Sequence, residues 1–483
     1  NRLVFASELQ VLSQVPGLDF GIDPEAVSIY LQMGFIPHPQ TIYRGIRKLA
    51  PGCRLDFDAG GPSEPTRFYF LSDKPPVAMD YADACEQMRD AIMSTVDRQR
   101  VADVPLGAFL SGGLDSSIVV ACLAARGGRA VQTFSIGYAD HPRYDETGYA
   151  RLVAERFGTD HRAFSLTFKD IVATVEPMID HLGEPFADSS LLPTSLVSRY
   201  TRDHVTVALS GDGGDELFGG YWRYLGHHYL ERYRRLPGLV RRGMIEPLTR
   251  LAPSARTTRW LDRLRQLRKL LRGDFDDPME RHLAWARIVE QKTARALIGA
   301  DRADATAEAM GKCYRQAASA WRAVNASDDR LDEILLAELA ISLPSDMLHK
   351  VDLASMFHGL EVRVPLLATN VVNLAASLPT EYKLAGTMTK RVLRDAFRDV
   401  LPAEVLERRK MGFEVPVGEF LRCELREMYG DVVTAGTLET FGIDATVADR
   451  LYEDHCRRRG DYTELLWSLL VLCKWKQANT PAL

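Results

Sequence analysis

Asp115 lies in Leu110-Ser111-Gly112-Gly113-Leu114-Asp115-Ser116-Ser117. Asp212 and Asp215 lie in Leu209-Ser210-Gly211-Asp212-Gly213-Gly214-Asp215-Glu216-Leu217-Phe218-Gly219-Gly220-Tyr221. Paired glycines let backbone N–H groups approach an anion without a Cβ clash. Ser111, Ser116, Ser117 and Ser210 add hydroxyl donors. A helix opening after such a turn adds its dipole, worth about 0.3–1 kcal/mol to a nearby negative charge. The chemistry expected is the grip of a nucleotide's phosphates. The acids sharpen this. Two like charges ~4 Å apart cost about 4 kcal/mol at an effective dielectric of about 20, so a cation must bridge Asp115 and a phosphate. Mg²⁺ favours carboxylate and phosphate oxygens together. The loop is not a Walker A motif, because GxxxxGK[ST] occurs nowhere in the chain.

Positioning such loops requires strands that end at them. Pro105 to Leu110 reads as a short apolar strand, with a helix from about Ser116 to Arg126. Val131 to Ile136 is a second strand, and a helix marked by Tyr149, Leu152, Val153 and Phe157 ends at Gly158. His204 to Leu209 is a later strand feeding the second loop. Alternation of this kind predicts an α/β fold with a parallel sheet. In front of it, an amphipathic helix is expected from about Asp80 to Arg100, with Ala84, Met88, Ala91 and Val96 near helical spacing. Residues 1–70 read as short strands, turns and one helix, starting strand-like at Arg2-Leu3-Val4-Phe5-Ala6. Asp23 is the N-cap of that helix and Pro24 its first residue. The turn-rich Gly60 to Pro65 and Lys74-Pro75-Pro76 mark a boundary between residues 1–70 and 71–483. Beyond residue 220 the strand signal fades and a largely helical C-terminal half is expected.

Composition narrows the function classes. The chain has 483 residues, 46% hydrophobic and 26% charged, with net charge −5. This is the balance of a folded globular protein, with no overall footprint for nucleic acid. No apolar run nears the ~18 residues of a membrane span. Residues 221–272 carry fourteen Lys and Arg against three acids, read as solvated helix faces rather than an anionic-partner surface. The seven cysteines are scattered and form no CxxC pair, so a reducing, cytoplasmic setting without a disulfide frame or zinc site is expected. The chain opens on Asn1, which suggests a missing N-terminus.

The first loop resembles the pyrophosphatase loop of the ATP pyrophosphatases, which cleave ATP between the α- and β-phosphates. The second closely resembles the matching loop of glutamine-hydrolysing asparagine synthetases. Lys350-Val351-Asp352-Leu353-Ala354-Ser355-Met356, then Glu361-Val362-Arg363-Val364-Pro365, and finally Arg409-Lys410-Met411-Gly412-Phe413 follow in that family's order. Residues 1–70 look like the end of the family's N-terminal glutaminase domain. The resemblance implies ATP-dependent activation of a carboxylate, the aspartate side chain being expected, as an acyl-adenylate. Ammonia, drawn from glutamine in the full-length protein, then displaces AMP.

Roles follow by position. Leu110 and Ile136 would touch the adenosine; Ser111, Gly112, Gly113, Ser116, Ser117, Ser210 and Gly211 would hold the nucleotide. Asp115 and Asp215 would hold Mg²⁺ on the pyrophosphate, and Asp212 sits where acyl-adenylate formation is tied. Lys410 would offset charge on the adenylate and departing pyrophosphate. Glu361 would take a proton from the attacking amine or orient the substrate. Lys350 and Arg363 are secondary candidates for carboxylate binding. The segment Gly183-Glu184-Pro185-Phe186-Ala187-Asp188-Ser189-Ser190 is family-like, without a role legible in its residues. Two departures bear on the acceptor: Gly183 stands where an acid is frequent and Ala368 where Asp is usual. The alternatives are a β-lactam synthetase-like or peptide cyclase-like amide former, or a non-catalytic nucleotide-binding protein. The partners expected are small molecules, with neither nucleic acid nor membrane, and a homodimer is open to the chain.

Overall fold

The computed structural model describes residues 2–58, 61–69, 79–138, 145–245, 247–248, 259–322, 330–408, 412 and 415–479. Its centre is a parallel five-stranded sheet of β5 (Leu106–Phe109), β6 (Gln132–Tyr138), β7 (Asp160–Leu166), β8 (Val207–Leu209) and β9 (Glu361–Arg363). The spatial order is β7-β6-β5-β8-β9. Successive crossovers build outward from β5 to β7, then the chain returns to lay β8 on the other side of β5. The order therefore reverses between β5 and β8. Ligands of open parallel sheets bind outside the carboxyl ends of the strands at such a reversal. Both glycine-rich loops start there.

Helices cover the sheet: α2 (Tyr81–Gln99), α3 (Leu114–Ala124) and α4 (Thr147–Phe157) supply apolar faces to one core, with Met88, Ile92, Val96, Ile118 and Val153 fully buried. A larger core joins α1 (Pro24–Met33) to α5 (Phe168–His181), α6 (Leu191–Arg202) and the C-terminal helix Thr463–Ala478. That last helix is buried nearly all round, so its Leu and Trp run reads as interior rather than amphipathic. No helix among the described residues is long and apolar enough to cross a membrane.

Local chemistry sets several boundaries. Asp23 caps α1 by accepting from the Glu25 N–H at 2.9 Å, with Pro24 at the first position. Gly158 ends α4 in the left-handed region at φ 62°. Two expectations need correction, and two strands were not expected. Residues 2–6 form no strand, since no described segment pairs with them and β-propensity without a ladder partner does not make one. Helix α3 starts at Leu114, so Asp115, Ser116 and Ser117 sit in its first turn. β7 and β9 were not anticipated; β9 is three residues long and lies within a helical half, where no period-2 pattern has room to show.

The small strands β1 (Cys53–Arg54), β2 (Phe57–Asp58), β3 (Gly61–Pro62) and β4 (Thr66–Arg67) pair as β1·β4 and β2·β3, both antiparallel. Cys53 is part-buried in β1.

Candidate active site

The first loop leaves β5 at Leu110, whose N–H donates to the Phe134 carbonyl at 2.8 Å. Gly112 then takes φ 70°, and a Cβ there would meet the Tyr149–Ala150 backbone at 2.5 Å. Glycine is required on both counts. The hydroxyls of Ser116 and Ser117 donate to the Gly113 carbonyl at 3.2 and 2.7 Å, closing the first turn of α3. Ser111 and Ser116 hydroxyls lie 3.1 Å apart.

The second loop leaves β8 at Ser210, whose N–H donates to the Arg363 carbonyl of β9 at 2.8 Å. The Ser210 hydroxyl donates to Asp212, whose own N–H returns to Ser210 Oγ at 3.2 Å. Gly213 at φ 85° then turns the chain into the short helix α7 (Gly214–Phe218). The two loops pack together. A Cβ on Gly211 would come 2.6 Å from Ser116 N, and one on Gly214 would come 2.5 Å from Asp115 Oδ1. Both glycines are therefore small because α3 begins beside them.

Asp115 and Asp215, predicted as metal ligands, converge on one cation of the chain itself. Lys390 Nζ lies 2.6 Å from Asp215 Oδ1 and is also paired with Asp115. The lysine side chain is only 4% exposed. Its backbone sits at φ 53°, left-handed for a residue with a Cβ, and its N–H donates to Phe218 O at 3.2 Å. Strain of this kind persists where the surroundings over-determine it, chiefly at functional sites. Gly220 makes the room: a Cβ there would fall 1.9 Å from Asp215 Oδ1 and 2.2 Å from Lys390 Cε. Sequence reasoning missed Lys390. It stands 275 residues from Asp115, and nothing local marks it as buried.

The donor set fits Mg²⁺ in a limited way. Among the described residues no group of three or more His, Cys, Asp or Glu is arranged for a metal. Two hard carboxylates aimed at a shared cation position suit an ion that takes its remaining ligands from phosphates and water.

Other predicted residues fall around this centre. Leu110 and Ile136 are both buried. Phe109 pairs with Phe134, which puts Ile136 two residues further along β6, level with the first loop. Arg408 donates to the Ser111 carbonyl at 3.2 Å and pairs with Glu146. Lys410 lies outside the described residues. Glu361 is not brought to the loops. It pairs in register with Val207, at the amino end of β8, which leaves it about 10 Å of strand from Ser210. Its side chain is 54% exposed and lies 2.6 Å from Arg363 Nε. Arg363 in turn donates to the Gln99 and Val101 carbonyls at 2.7 and 2.8 Å, so it staples the end of α2 rather than facing a ligand.

Lys350 is bonded to Asp188 and feels the charge of Asp212 in the second loop. It is buried, and Nζ donates to Asp188 Oδ2 at 2.9 Å. Burial pushes its pKa down, but the charges of Asp188, Asp346 and Asp212 outweigh that and hold the ammonium above its ordinary range. Asp346 is raised to about 7, by burial first and the neighbouring Asp188 charge second. Behind α7, the Tyr221 hydroxyl donates to Glu216 Oε1 at 2.6 Å. Fully buried Glu338 pairs with Arg223 and lies 2.9 Å from His282 Nε2. Despite burial, Arg223 and His282 hold Glu338 down to about 2.

The asparagine synthase family model matches residues 87–477, and the glutamine amidotransferase domain model matches residues 1–69. Asparagine synthetase [glutamine-hydrolyzing] 1 of Bacillus subtilis is 28% identical over 479 residues, 99% of this chain and 72% of that protein. A Mycobacterium bovis protein provisionally named asparagine synthetase [glutamine-hydrolyzing] is 32% identical over 472 residues, 96% of this chain and 69% of its own. Asparagine synthetase [glutamine-hydrolyzing] 3 of Bacillus subtilis is 26% identical over 428 residues, 85% and 61% respectively. With the family model spanning both loops, Lys390 and the helices that carry them, this chain belongs to the asparagine synthase family.

Proposed function

We propose that the chain makes an amide from a carboxylate and ammonia with conversion of ATP to AMP and pyrophosphate. Aspartate is the acceptor and asparagine the product, and glutamine supplies the ammonia in the full-length protein. The observation that carries this reading is the convergence of Asp115, Asp215 and Lys390 where the β5 and β8 loops meet. A site that binds only a nucleotide has no need of two carboxylates and a buried lysine at its phosphate end.

The residues divide the work. Backbone N–H groups of the first loop and the start of α3 receive phosphate oxygens, while Leu110 and Ile136 flank the adenosine. Lys390 neutralises charge as pyrophosphate leaves, a fixed positive group where negative charge grows. Asp115 and Asp215 would hold Mg²⁺, which supplies further neutralisation of the phosphates. Asp212, pinned by Ser210, faces the acceptor side together with Lys350, which suits an acceptor carboxylate. Lys410 is assigned by resemblance to the adenylate. The acyl-adenylate is needed because AMP is a far better leaving group than oxide. The domains are residues 1–70, the end of a glutaminase domain, and 71–483, the synthetase domain. A cytoplasmic setting and a homodimer complete the reading.

The test is AMP and pyrophosphate release with ATP, Mg²⁺, ammonium and a panel of carboxylates. Aspartate-dependent release in equal amounts with asparagine is expected. Nucleotide binding without turnover on any acceptor would overturn the proposal.

A further inference from the structure

The family-like segment at residues 183–190 holds a buried carboxylate that the reaction does not use. Glu184 is 5% exposed. One of its oxygens accepts from the Ile42 N–H at 3.1 Å, and the other pairs with Lys48. Lys48 also donates to the Ile36 carbonyl at 2.6 Å. Three residues on, the Ala187 N–H donates to the Gly34 carbonyl at 2.8 Å. The preceding Gly183 lies against the N-terminal stretch, where a Cβ would meet Gln10 N and Leu9 Cβ at 2.8 Å. This accounts for the missing acid at 183, since any side chain there would collide with backbone. The segment thus runs along the first 48 residues at three separate points. The very next residue, Asp188, turns the other way. Its Oδ2 takes the Lys350 ammonium at 2.9 Å, while Oδ1 is fixed by Ser190 N and Oγ at 2.9 and 2.7 Å.

Both pieces also touch the helical run that carries Lys350. His38 Nδ1 lies 3.4 Å from Ser345 Oγ, and the Phe186 ring meets His349 edge-on at 5.4 Å between centroids. Residues 345 and 349 lie on the continuous helical run that carries Lys350. Lys350 is therefore paired with the segment through Asp188, while His38 and Phe186 contact the helical run on which it sits.

We propose that residues 183–188 form a strap through which residues 34–48 set the position of Lys350 beside Asp212, with Glu184 as its positioning residue. This rests on the reading of that pocket as the acceptor site. Residues 34–48 belong to the part that matches the amidotransferase domain model, so the strap ties the ammonia-supplying part of the molecule to the pocket where the carboxylate is held. Because linkage is reciprocal, a ligand that orders one side stiffens the other.

The experiment compares the unaltered chain with Lys48→Met, Glu184→Gln and Lys48→Arg by hydrogen–deuterium exchange and by steady-state kinetics with ammonium. In the first two variants, exchange is expected to quicken about tenfold in peptides covering residues 184–192 and 346–356, with residues 114–124 unchanged. The Michaelis constant for the acceptor should rise about tenfold, within the usual range of coupling between sites, while that for ATP and the turnover number stay within about twofold. Lys48→Arg keeps the charge and should restore both. Faster exchange confined to residues 34–48, or an acceptor constant that does not move, overturns the strap. The exchange result decides the strap even for a chain that forms no AMP with any acceptor, an outcome that would instead sink the assigned reaction.

Discussion

Lys390 Nζ lies 2.6 Å from Asp215 Oδ1, and the same ammonium is paired with Asp115. One buried cation therefore ties the first loop to the second. Removing one partner of a buried pair strands the others, at about 3–5 kcal/mol. Lys390→Met should lower unfolding free energy by about 3 kcal/mol in urea titrations and reduce turnover by about 10²–10³. Unchanged stability together with near-normal turnover would show that the lysine is incidental.

Asp115→Asn and Asp215→Asn each keep the shape and lose a negative oxygen. Pyrophosphate formation should fall below detection in both while circular dichroism stays native, because a hard cation bound by few protein groups tolerates no lost carboxylate. Near wild-type turnover of either variant at ordinary Mg²⁺ would remove the two-carboxylate metal site.

Gly211→Ala probes the seam between the loops. Its new Cβ would stand 2.6 Å from Ser116 N, which is backbone and cannot swing aside. Overpacking of this kind costs about 1–3 kcal/mol. On the proposed function the nucleotide spans both loops, so the Michaelis constant for ATP should rise about tenfold or more. Isothermal titration with a non-hydrolysable ATP analogue measures this directly, and unaltered affinity would contradict the packing argument.

Glu361→Gln separates geometry from resemblance. Glu361 is half-exposed at the amino end of β9 and paired with Arg363, and exposed pairs contribute about 0–1 kcal/mol. Turnover within about threefold of wild type is expected. A loss near 10², of the size a removed transition-state group produces, would restore the catalytic role implied by resemblance.

Burial, reinforced by His282 and Arg281, holds His227 down to about 2 from 6.5. Folded, it stays neutral; unfolded, it protonates below about pH 6.5, so the unfolded chain binds more protons as pH falls. Its contribution is intact above about pH 6.5 and drains by about 1.4 kcal/mol per unit below that. His227→Phe should recover about 2 kcal/mol of the stability lost between about pH 7 and about pH 5. Denaturant midpoints at the two pH values test this; an identical acid loss in the variant would refute it.

The site was partly legible because its two loops are local. Ser111 to Ser117 and Ser210 to Gly214 carry glycines, hydroxyls and acids within a few residues, and each follows a short apolar strand. Local turn chemistry and an α/β alternation depend on neighbours in the chain, so the sequence by itself determined the two glycine-rich loops, the fold class and the Asp23 cap of α1. The tertiary structure decided what no local pattern carries. Strand order put β8 beside β5, and only that adjacency brings Asp215 to Asp115. Lys390 arrives from 275 residues away, and its burial follows from the space left by Gly220, a fact about three dimensions. Glu361 shows the reverse: its neighbours look like a motif, yet the parallel register of β9 leaves it at the amino end of the sheet, away from the loops. Glu184 became intelligible only once its two carboxylate oxygens were seen on Ile42 and Lys48, because a buried charge takes its meaning from the partners that folding supplies.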